Sequence, residues 1–215
     1  MYVRQLQLGP MENFVYLFGA EGEREVAVVD PAWEVDAILE AAQEDGKEIS
    51  TIFLTHHHHD HVNGVEPLLA RKPGLPIVAQ AEEIAFSTVL QRFGDLLRPV
   101  APDEVVKVGS LEVRCIHTPG HTPGANSLYA GGSLFSGATL FINGCGRCDL
   151  KGGDPAKMFH SLHRVLAARP DETVLYPGHD YADKPVSTMG DEKRDNPYYQ
   201  RKTLEDFVAY RMRPR

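Results

Sequence analysis

Residues 55–64 read THHHHDHVNG and place five of the chain's ten histidines within six positions. Histidine runs are often purification tags or solvated tracts, but this run lies inside the chain and outside any low-complexity stretch. It directly follows residues 48–54, EISTIFL, whose β-branched and apolar side chains predict a buried strand. A buried strand that leads into the run would hold the imidazoles in a fixed place. We therefore interpret the run as part of a metal site.

The composition is that of an ordinary globular protein. The 215 residues suffice for one large domain with an ample core. The formal charge of −8 argues against a nucleic-acid partner or an anionic membrane surface, because both select for basic patches. No apolar run approaches the ~20 residues of a membrane span, and the first ten residues lack the apolar core of a signal peptide. Three cysteines do not suggest a disulfide framework, so we expect a cytoplasmic protein.

Strands and helices alternate along the chain, with turn residues between them. We predict strands over 2–8, 14–18, 25–29, 48–54, 75–79, 103–109, 111–117, 126–131, 132–137 and 173–176. We predict helices over 30–46, 65–72, 81–93, 154–168 and 202–211. The fourth of these would begin at the N-cap Asp154, with Pro155 at its first position. Because no repeat or linker interrupts this order, we expect one α/β domain over 1–215.

Polar side chains follow three of the predicted strands. The run contains the pattern H-x-H-x-D-H, and two further histidines lie in turns rich in proline and glycine, HTPGHTPG and YPGHD. Neutral imidazoles and a carboxylate suit zinc, iron or manganese. The predicted ligands are His56, His58, Asp60, His61, His121 and His179. We expect the isolated histidines His117, His160 and His163 to be surface or core residues.

The motifs THHHHDH, TPGHTPG, LFSGATLF and YPGHD occur in the order found in metallo-β-lactamase-fold hydrolases, which the chain resembles over nearly its whole length. The resemblance implies an αββα sandwich with the metal site at one edge of the two sheets. It implies that one metal ion is held by His56, His58 and His121. It also implies a second ion held by Asp60, His61 and His179, and an aspartate that bridges both ions.

The bridging aspartate is missing, because the corresponding element reads Ser-Gly-Ala-Thr and Ala138 occupies its position. An alanine cannot bind a metal, and without the carboxylate two nearby dications are less well screened. Either the alanine is an introduced change that inactivates an enzyme, or the natural protein carries it and works with one metal ion or none. The other ligand positions are intact, which favours the first explanation. A catalytically silent binding protein on the same fold is a further hypothesis, supported by Ala138 alone.

The second half of the chain resembles two neighbouring groups of this superfamily. One group contains short glyoxalase II-like thioester hydrolases, related to hydroxyacylglutathione hydrolase, and the other contains persulfide dioxygenases. The segments GCGR and HDY…ST…E…NP occur in both, whereas Gly178 in YPGHD favours the hydrolases. Full-length glyoxalase II also carries a C-terminal helical domain that binds glutathione. Few residues follow His179, so we expect that domain to be missing, and the resemblance then gives no support for glutathione specificity.

The two groups imply different chemistry. In a hydrolase, a metal ion lowers the pKa of bound water from 15.7 towards ~7, and the resulting hydroxide attacks a thioester or ester carbonyl. Asp60 would orient or deprotonate the nucleophile as well as bind metal. In a dioxygenase, His56, His121 and a carboxylate at position 138 would form a facial triad on iron. Ala138 breaks that triad, so it should impair a dioxygenase more than a hydrolase. We favour a zinc hydrolase with one or two ions, and iron is the alternative.

Several neighbours of the predicted ligands have two interpretations. Arg147 could bind a substrate carboxylate or pair with Asp149 or Asp154. Tyr181 could contact the substrate or only pack. The pair Cys145 and Cys148 is weak evidence for redox chemistry or zinc, since two small residues that shape a loop are at least as frequent. We expect Cys115, within a strand, to be a core residue.

The two histidines that alternate with the predicted ligands should point away from the metal. We expect His57 to pack or hydrogen-bond behind the loop and His59 to lie at the mouth of the site. The expected partner is a small molecule such as a thioester, an ester or a glutathione derivative. A homodimer is a further alternative, in which the basic tail 211–215 packs against a second subunit. A β-lactamase role is disfavoured, because the sequence lacks the export signal that such an activity needs.

Overall fold

Two six-stranded sheets pack face to face, and helices cover both outer faces. The structure is a computed structural model that describes residues 1–213, so the last two residues of the basic tail lie outside its described part. The four layers form an αββα sandwich, which confirms the fold class expected from the sequence. Within residues 1–213, no helix has the length and apolar character needed to cross a membrane.

The first sheet contains the first six strands in sequence order. They are β1 (Tyr2–Leu8), β2 (Asn13–Gly19), β3 (Glu25–Val29), β4 (Glu48–Phe53), β5 (Ile77–Gln80) and β6 (Leu97–Val100). The first three are antiparallel neighbours, and β3 to β6 are parallel. Parallel strands require crossover connections, which contain helices here. Since β3 and β4 are parallel, their carboxyl ends meet at one edge, where the histidine run begins.

The second sheet has the order β14-β13-β10-β9-β8-β7. Its strands are β7 (Glu104–Val108), β8 (Leu111–His117), β9 (Asn126–Ala130), β10 (Ser133–Gly137), β13 (Val174–Pro177) and β14 (Ser187–Thr188), and a separate hairpin joins β11 (Leu140–Phe141) to β12 (Gly144–Cys145). Strands β8, β10 and β13 run in the same direction, because β10 pairs with β13 in parallel and β9 is antiparallel to both β8 and β10. Their carboxyl ends therefore reach one end of the sandwich together.

The interior between the sheets is built from aromatic and β-branched side chains. Phe18 of the first sheet packs against Phe135 of the second, with ring centroids 4.8 Å apart. Full burial of such a side chain stabilises the fold by about 1.5–3 kcal/mol. The Tyr16 hydroxyl donates a hydrogen bond to the Pro177 carbonyl at 2.5 Å, so this buried phenol is satisfied. The inner layer thus fixes the two sheets relative to each other.

Helices cover the outer faces of both sheets. They are α1 (Val35–Glu44), α2 (His59–Val62), α3 (Val65–Arg71), α4 (Ala81–Phe86), α5 (Thr88–Gln91), α6 (Pro155–His160), α7 (Met189–Asp195) and α8 (Leu204–Arg211), and the π-helical segment Ser161–Leu166 follows α6. Helix α6 begins as predicted, because the Asp154 side chain accepts hydrogen bonds from the Ala156 and Lys157 amides.

The main errors of the sequence prediction concern short elements. The single helix predicted over 81–93 is wrong. Ser87 adopts an extended conformation with φ −99° and ψ 110°, and its hydroxyl caps the Leu90 amide, so α4 and α5 are separate. Strand β6 was not predicted because it contains Pro99, which lacks a donor and is tolerated at the edge of a sheet. Helix α2 is a single turn within the histidine run and has no apolar periodicity.

Candidate metal centre

A buried aspartate after β3 anchors the histidine run after β4. Asp30 accepts hydrogen bonds from the Thr55 amide at 2.7 Å and the Thr55 hydroxyl at 2.5 Å. The oxygen that binds the hydroxyl also lies 2.8 Å from His61 Nδ1. Asp30 has a φ of 48°, a left-handed conformation that is uncommon outside glycine. The three contacts explain why the chain holds this conformation, which orders the start of the run.

Three imidazoles form a first trio. His121, in the turn after β8, places its Nε2 2.9 Å from Nδ1 of His58. The His56 ring lies 4.7 Å from the His58 ring and 4.8 Å from the His121 ring, measured between centroids. His56 Nε2 is buried without a hydrogen-bond partner. A buried nitrogen without a hydrogen-bond partner is rare and needs an explanation. A metal ion bound to His56 Nε2 would give this nitrogen a partner.

A second trio lies beside the first and contains one carboxylate. His61 Nε2 is 3.0 Å from Nε2 of His179, which follows β13. Oδ2 of Asp60 is 3.4 Å from the first of these nitrogens and 3.5 Å from the second. Tetrahedral zinc with ligands at ~2.0–2.1 Å would separate ligand atoms by ~3.3 Å. The donor atoms of the second trio are therefore already spaced for a metal ion.

Backbone carbonyls and one side-chain amide orient the predicted ligands, on the side away from the trios. His121 Nδ1 lies 2.7 Å from the Arg147 carbonyl, and His179 Nδ1 lies 2.9 Å from the Met11 carbonyl. A carbonyl only accepts, so in each ring Nδ1 carries the proton and Nε2 presents its lone pair to the trio. Asn13 donates to Asp60 Oδ2 at 3.0 Å and so fixes the carboxylate. These contacts preorganise both trios.

Burial keeps most of the imidazoles neutral. It lowers the pKa of His58 to about 3, and those of His121 and His179 to about 4, and neighbouring imidazoles add to the effect. The pKa of His56 is also well below its usual value for the same reasons. Burial alone would lower the pKa of His61, but Asp30 outweighs it and the pKa is raised. Neutral imidazole is the form that binds a metal.

The metal-free protein should lose stability as the pH falls from about 6.5 to about 4. In this window the four trio imidazoles with lowered pKa stay neutral in the folded protein but bind protons in the unfolded chain. Burial also lowers the pKa of His163, which adds to the effect in the same direction. Unfolding therefore takes up protons, and the free energy of unfolding decreases with falling pH. Urea unfolding in chelator at several pH values measures this slope. His121→Gln, which removes one titrating ring, should flatten it by up to one proton, and an equal slope in both proteins would contradict the assignment.

The position that should carry a bridging carboxylate lies at the site but offers only a methyl group. Ala138 lines the same cavity as the ligands and is 4% exposed. Gly137 before it has a φ of 52°, and a Cβ there would come within 2.5 Å of the Thr55 side chain. The backbone at 138 is thus held close to the histidine run. The two trios have no residue in common, and a further donor group of Asp30, His56 and His61 contains one histidine from each.

A cavity of about 700 Å³ opens in front of the two trios. This volume falls within the ~300–1,000 Å³ usual for small-molecule sites. The residues around the trios include Met11, Phe141, Leu150, Arg147 and Tyr181. The cavity thus combines an apolar wall with a few polar groups, as expected of a site for a small organic ligand.

The other residues that the sequence singled out can now be located relative to the cavity. Arg147 forms two 2.8 Å hydrogen bonds to Asp149, which matches the salt-bridge interpretation, and it also lines the cavity. Tyr181 stacks on His179 with centroids 4.6 Å apart and lines the cavity too. His59 lies at the cavity, as expected. The three cysteines are buried and form no disulfide within residues 1–213.

Sequence reasoning missed the residues that hold the predicted ligands in place. They are Asn13, Asp30 and Glu83, all buried polar residues. Asp30 could have been found, because it follows a buried strand in the same manner as the predicted ligands. Glu83 lies in the first turn of a short helix, and nothing in the local pattern separates it from Glu82 beside it. His57 binds Glu83 behind the run, as expected for a histidine that points away from the trios.

The chain is similar to several known proteins. Residues 8–179 match the family model of the Metallo-beta-lactamase superfamily. The probable polyketide biosynthesis zinc-dependent hydrolase BaeB of Bacillus velezensis is 35% identical over 94% of this chain and 88% of its own length. A hydroxyacylglutathione hydrolase of Alkalilimnicola ehrlichii is 39% identical over 86% of this chain and 68% of its own length.

Solved structures are similar over most of the chain. The crystal structure of ETHE1 from Myxococcus xanthus covers 100% of this chain and 93% of its own, with a TM-score of 0.88 and 32% identity. The protein TTHA1623 in a di-iron-bound form covers 91% of this chain and 99% of its own, with a TM-score of 0.77 and 31% identity. One similar protein is thus named as zinc-dependent and another was solved with iron.

Proposed function

The chain belongs to the metallo-beta-lactamase superfamily, and we propose that it is a metal-dependent hydrolase that cleaves a small thioester or ester. The observation that carries the proposal is the pair of donor trios in the wall of the cavity, with the buried and unpaired His56 Nε2 in the first. The zinc-dependent and hydroxyacylglutathione hydrolases among its relatives support the hydrolytic reaction.

We propose that the catalytic ion is zinc, held by His56, His58 and His121. Three imidazoles around zinc leave a fourth position for water or substrate. A bound zinc ion would supply an activated water at neutral pH and polarise a carbonyl oxygen. The trio of Asp60, His61 and His179 would hold a second ion more weakly, because position 138 provides no shared carboxylate. The sequence therefore allows one or two ions, and iron is the alternative metal.

Asp60 is the proposed proton acceptor. Burial would raise its pKa, but His61 and the Asn13 amide outweigh this effect and the pKa is lowered. The carboxylate is therefore ionised at neutral pH and can take a proton from an attacking water. Asn13 also fixes its direction, at 3.0 Å from Oδ2. The substrate would lie in the cavity between Arg147 and Tyr181, where an acyl group and a thiol both have room.

A persulfide dioxygenase is the second candidate, and the similarity to ETHE1 supports it. That reaction would place iron on His56, His121 and a carboxylate at position 138. The chain offers Ala138 there, so the 2-His-1-carboxylate triad expected for such an iron site is incomplete. The three-histidine trio needs no residue at 138, and for this reason we place the hydrolase first. We further propose a cytoplasmic location, since buried cysteines that form no disulfide are typical of a reducing compartment.

Metal reconstitution separates the two candidates. Metal-free protein is divided into a zinc-loaded and an iron-loaded sample and assayed with S-lactoylglutathione, an aryl thioester and glutathione persulfide. We expect thioester cleavage by the zinc sample, lost on chelation and restored by added zinc. Oxygen uptake with persulfide by the iron sample, without thioester cleavage, would establish the dioxygenase instead. Tight metal binding with no turnover of any substrate would favour a catalytically impaired form.

A further inference from the structure

Glu83 is a buried carboxylate that the proposed reaction does not use. It lies in α4, and only 1% of it is exposed. Burial of a carboxylate is costly unless its oxygens are hydrogen-bonded. Glu83 accepts four hydrogen bonds, and all four donors lie in the two segments that carry the three-histidine trio.

Each oxygen of Glu83 serves one of these segments. Oε1 accepts the His57 amide at 2.8 Å and the His57 Nδ1 at 2.5 Å. His57 stands between the ligands His56 and His58. Oε2 accepts the Thr122 hydroxyl at 2.9 Å and the Gly124 amide at 2.8 Å, just after the ligand His121. One rigid carboxylate thus spans the two chain segments whose imidazoles must meet.

The turn after His121 also approaches α4 closely. A Cβ at Gly124 would lie 2.1 Å from the Glu83 amide nitrogen, so only glycine allows the turn to pack this tightly on the helix. This contact packs the turn directly against α4. The Glu83 carboxylate then sets the distance between the turn and the histidine run. The resulting separation is visible between His58 Nδ1 and His121 Nε2, which are 2.9 Å apart.

We propose that Glu83 is a positioning residue of the three-histidine trio, acting through His57 on one side and Thr122 on the other. The inference rests on the proposed metal site. In Glu83→Gln, an amide NH2 replaces one acceptor oxygen. If the NH2 group replaces Oε1, the backbone N–H of His57 loses its acceptor. If it replaces Oε2, the backbone N–H of Gly124 loses its acceptor. In both cases two N–H donors then face each other. One ligand-bearing segment must then move relative to the other.

The expected effect of Glu83→Gln is a zinc affinity about 10- to 100-fold weaker, the range found when residues behind metal ligands are changed. Chelator competition measures the affinity, and the absorption spectrum of the cobalt(II)-loaded protein reports the geometry of the ligands. Neither readout depends on activity. We expect the cobalt spectrum to change in Glu83→Gln and to recover in part in Glu83→Asp, which keeps both oxygens on a shorter side chain.

Glu192→Gln is the matched control. Glu192 is also 1% exposed and also accepts several hydrogen bonds, from the Asn143 amide, the Ser187 hydroxyl and the Asn196 side chain. Unlike the partners of Glu83, none of these residues lies within three positions of a proposed metal ligand. The control should lower the urea midpoint of the metal-free protein much as Glu83→Gln does, yet keep zinc affinity within about threefold of the unchanged protein.

The zinc-binding measurements separate failure of the positioning role of Glu83 from failure of the proposed metal site. If the unchanged chain binds no zinc, the proposed metal site itself is wrong. If it binds zinc and Glu83→Gln binds equally well with the same cobalt spectrum, the positioning role is wrong. Should Glu83→Gln not fold, Thr122→Val removes only one of the four donors to Glu83. It should weaken zinc binding by several-fold, and an unchanged affinity would overturn the inference.

Discussion

Ala138→Asp is expected to bind a second metal ion at least about 100-fold more tightly than the unchanged chain. Ala138 lines the same cavity as both donor trios, and the two trios share no residue. An aspartate there would place a negative charge between two dications and could bind both. Two ions that otherwise repel each other would both be attracted to the carboxylate. The occupancy of the trio that binds more weakly should therefore rise most. Residues that only hold metal ligands change affinity by ~10–100-fold, and a ligand should do no less.

Metal content after dialysis against limiting zinc measures this effect. The unchanged chain should retain about one ion under conditions where Ala138→Asp retains two. Thioester cleavage should rise in the same variant. Ala138→Asn is the control, since it adds similar bulk without the charge and should not recover the second ion. Equal metal content in all three proteins would show that position 138 does not contribute to the site.

His56→Ala is expected to abolish tight metal binding and to lower thioester cleavage at least about 1,000-fold. Its Nε2 is the one atom of the first trio that is buried and unpaired. Removal leaves two imidazoles, which form too few bonds to hold zinc in an open tetrahedral site. The activated water is then lost, and hydrolysis falls towards the rate of unassisted attack.

His160→Ala provides the matched control, because it removes a histidine that is exposed at the end of α6. It should keep the metal content and the rate of the unchanged chain. His56→Ala should also remain folded, since deletion of the ring removes an unsatisfied buried nitrogen. A far-ultraviolet circular dichroism spectrum checks this point. If His56→Ala retained one tightly bound ion and most of its activity, the catalytic ion would have to lie in the second trio.

The elements that bring the proposed ligands together were predictable from the sequence. The strand before the histidine run, the turns around His121 and His179, and the N-cap Asp154 all have local signals: apolar runs, proline and glycine, and a capping side chain. The resemblance to a known family then supplied the order of layers. Short elements such as α2 and β6 were not predicted, because a single helical turn or an edge strand with proline has no hydrophobic periodicity of its own.

The contacts that tune the site were not predictable for a different reason. Glu83 and Asn13 act on ligands through partners that are distant in sequence: Glu83 binds Gly124 across 41 positions, and Asn13 binds Asp60 across 47. Only the folded chain shows which buried polar residues face which loops. Asp30 is intermediate, because its place after a strand is visible in the sequence whereas its bond to His61 is not.

The most direct test of the proposed function is the rate of thioester hydrolysis as zinc is added stepwise to the metal-free chain. We expect the rate to rise in proportion to zinc and to reach most of its final value at about one equivalent, because the three-histidine trio needs no other ligand. No hydrolysis at any zinc content, in a protein that binds zinc tightly and consumes oxygen with a persulfide once loaded with iron, would contradict a hydrolase.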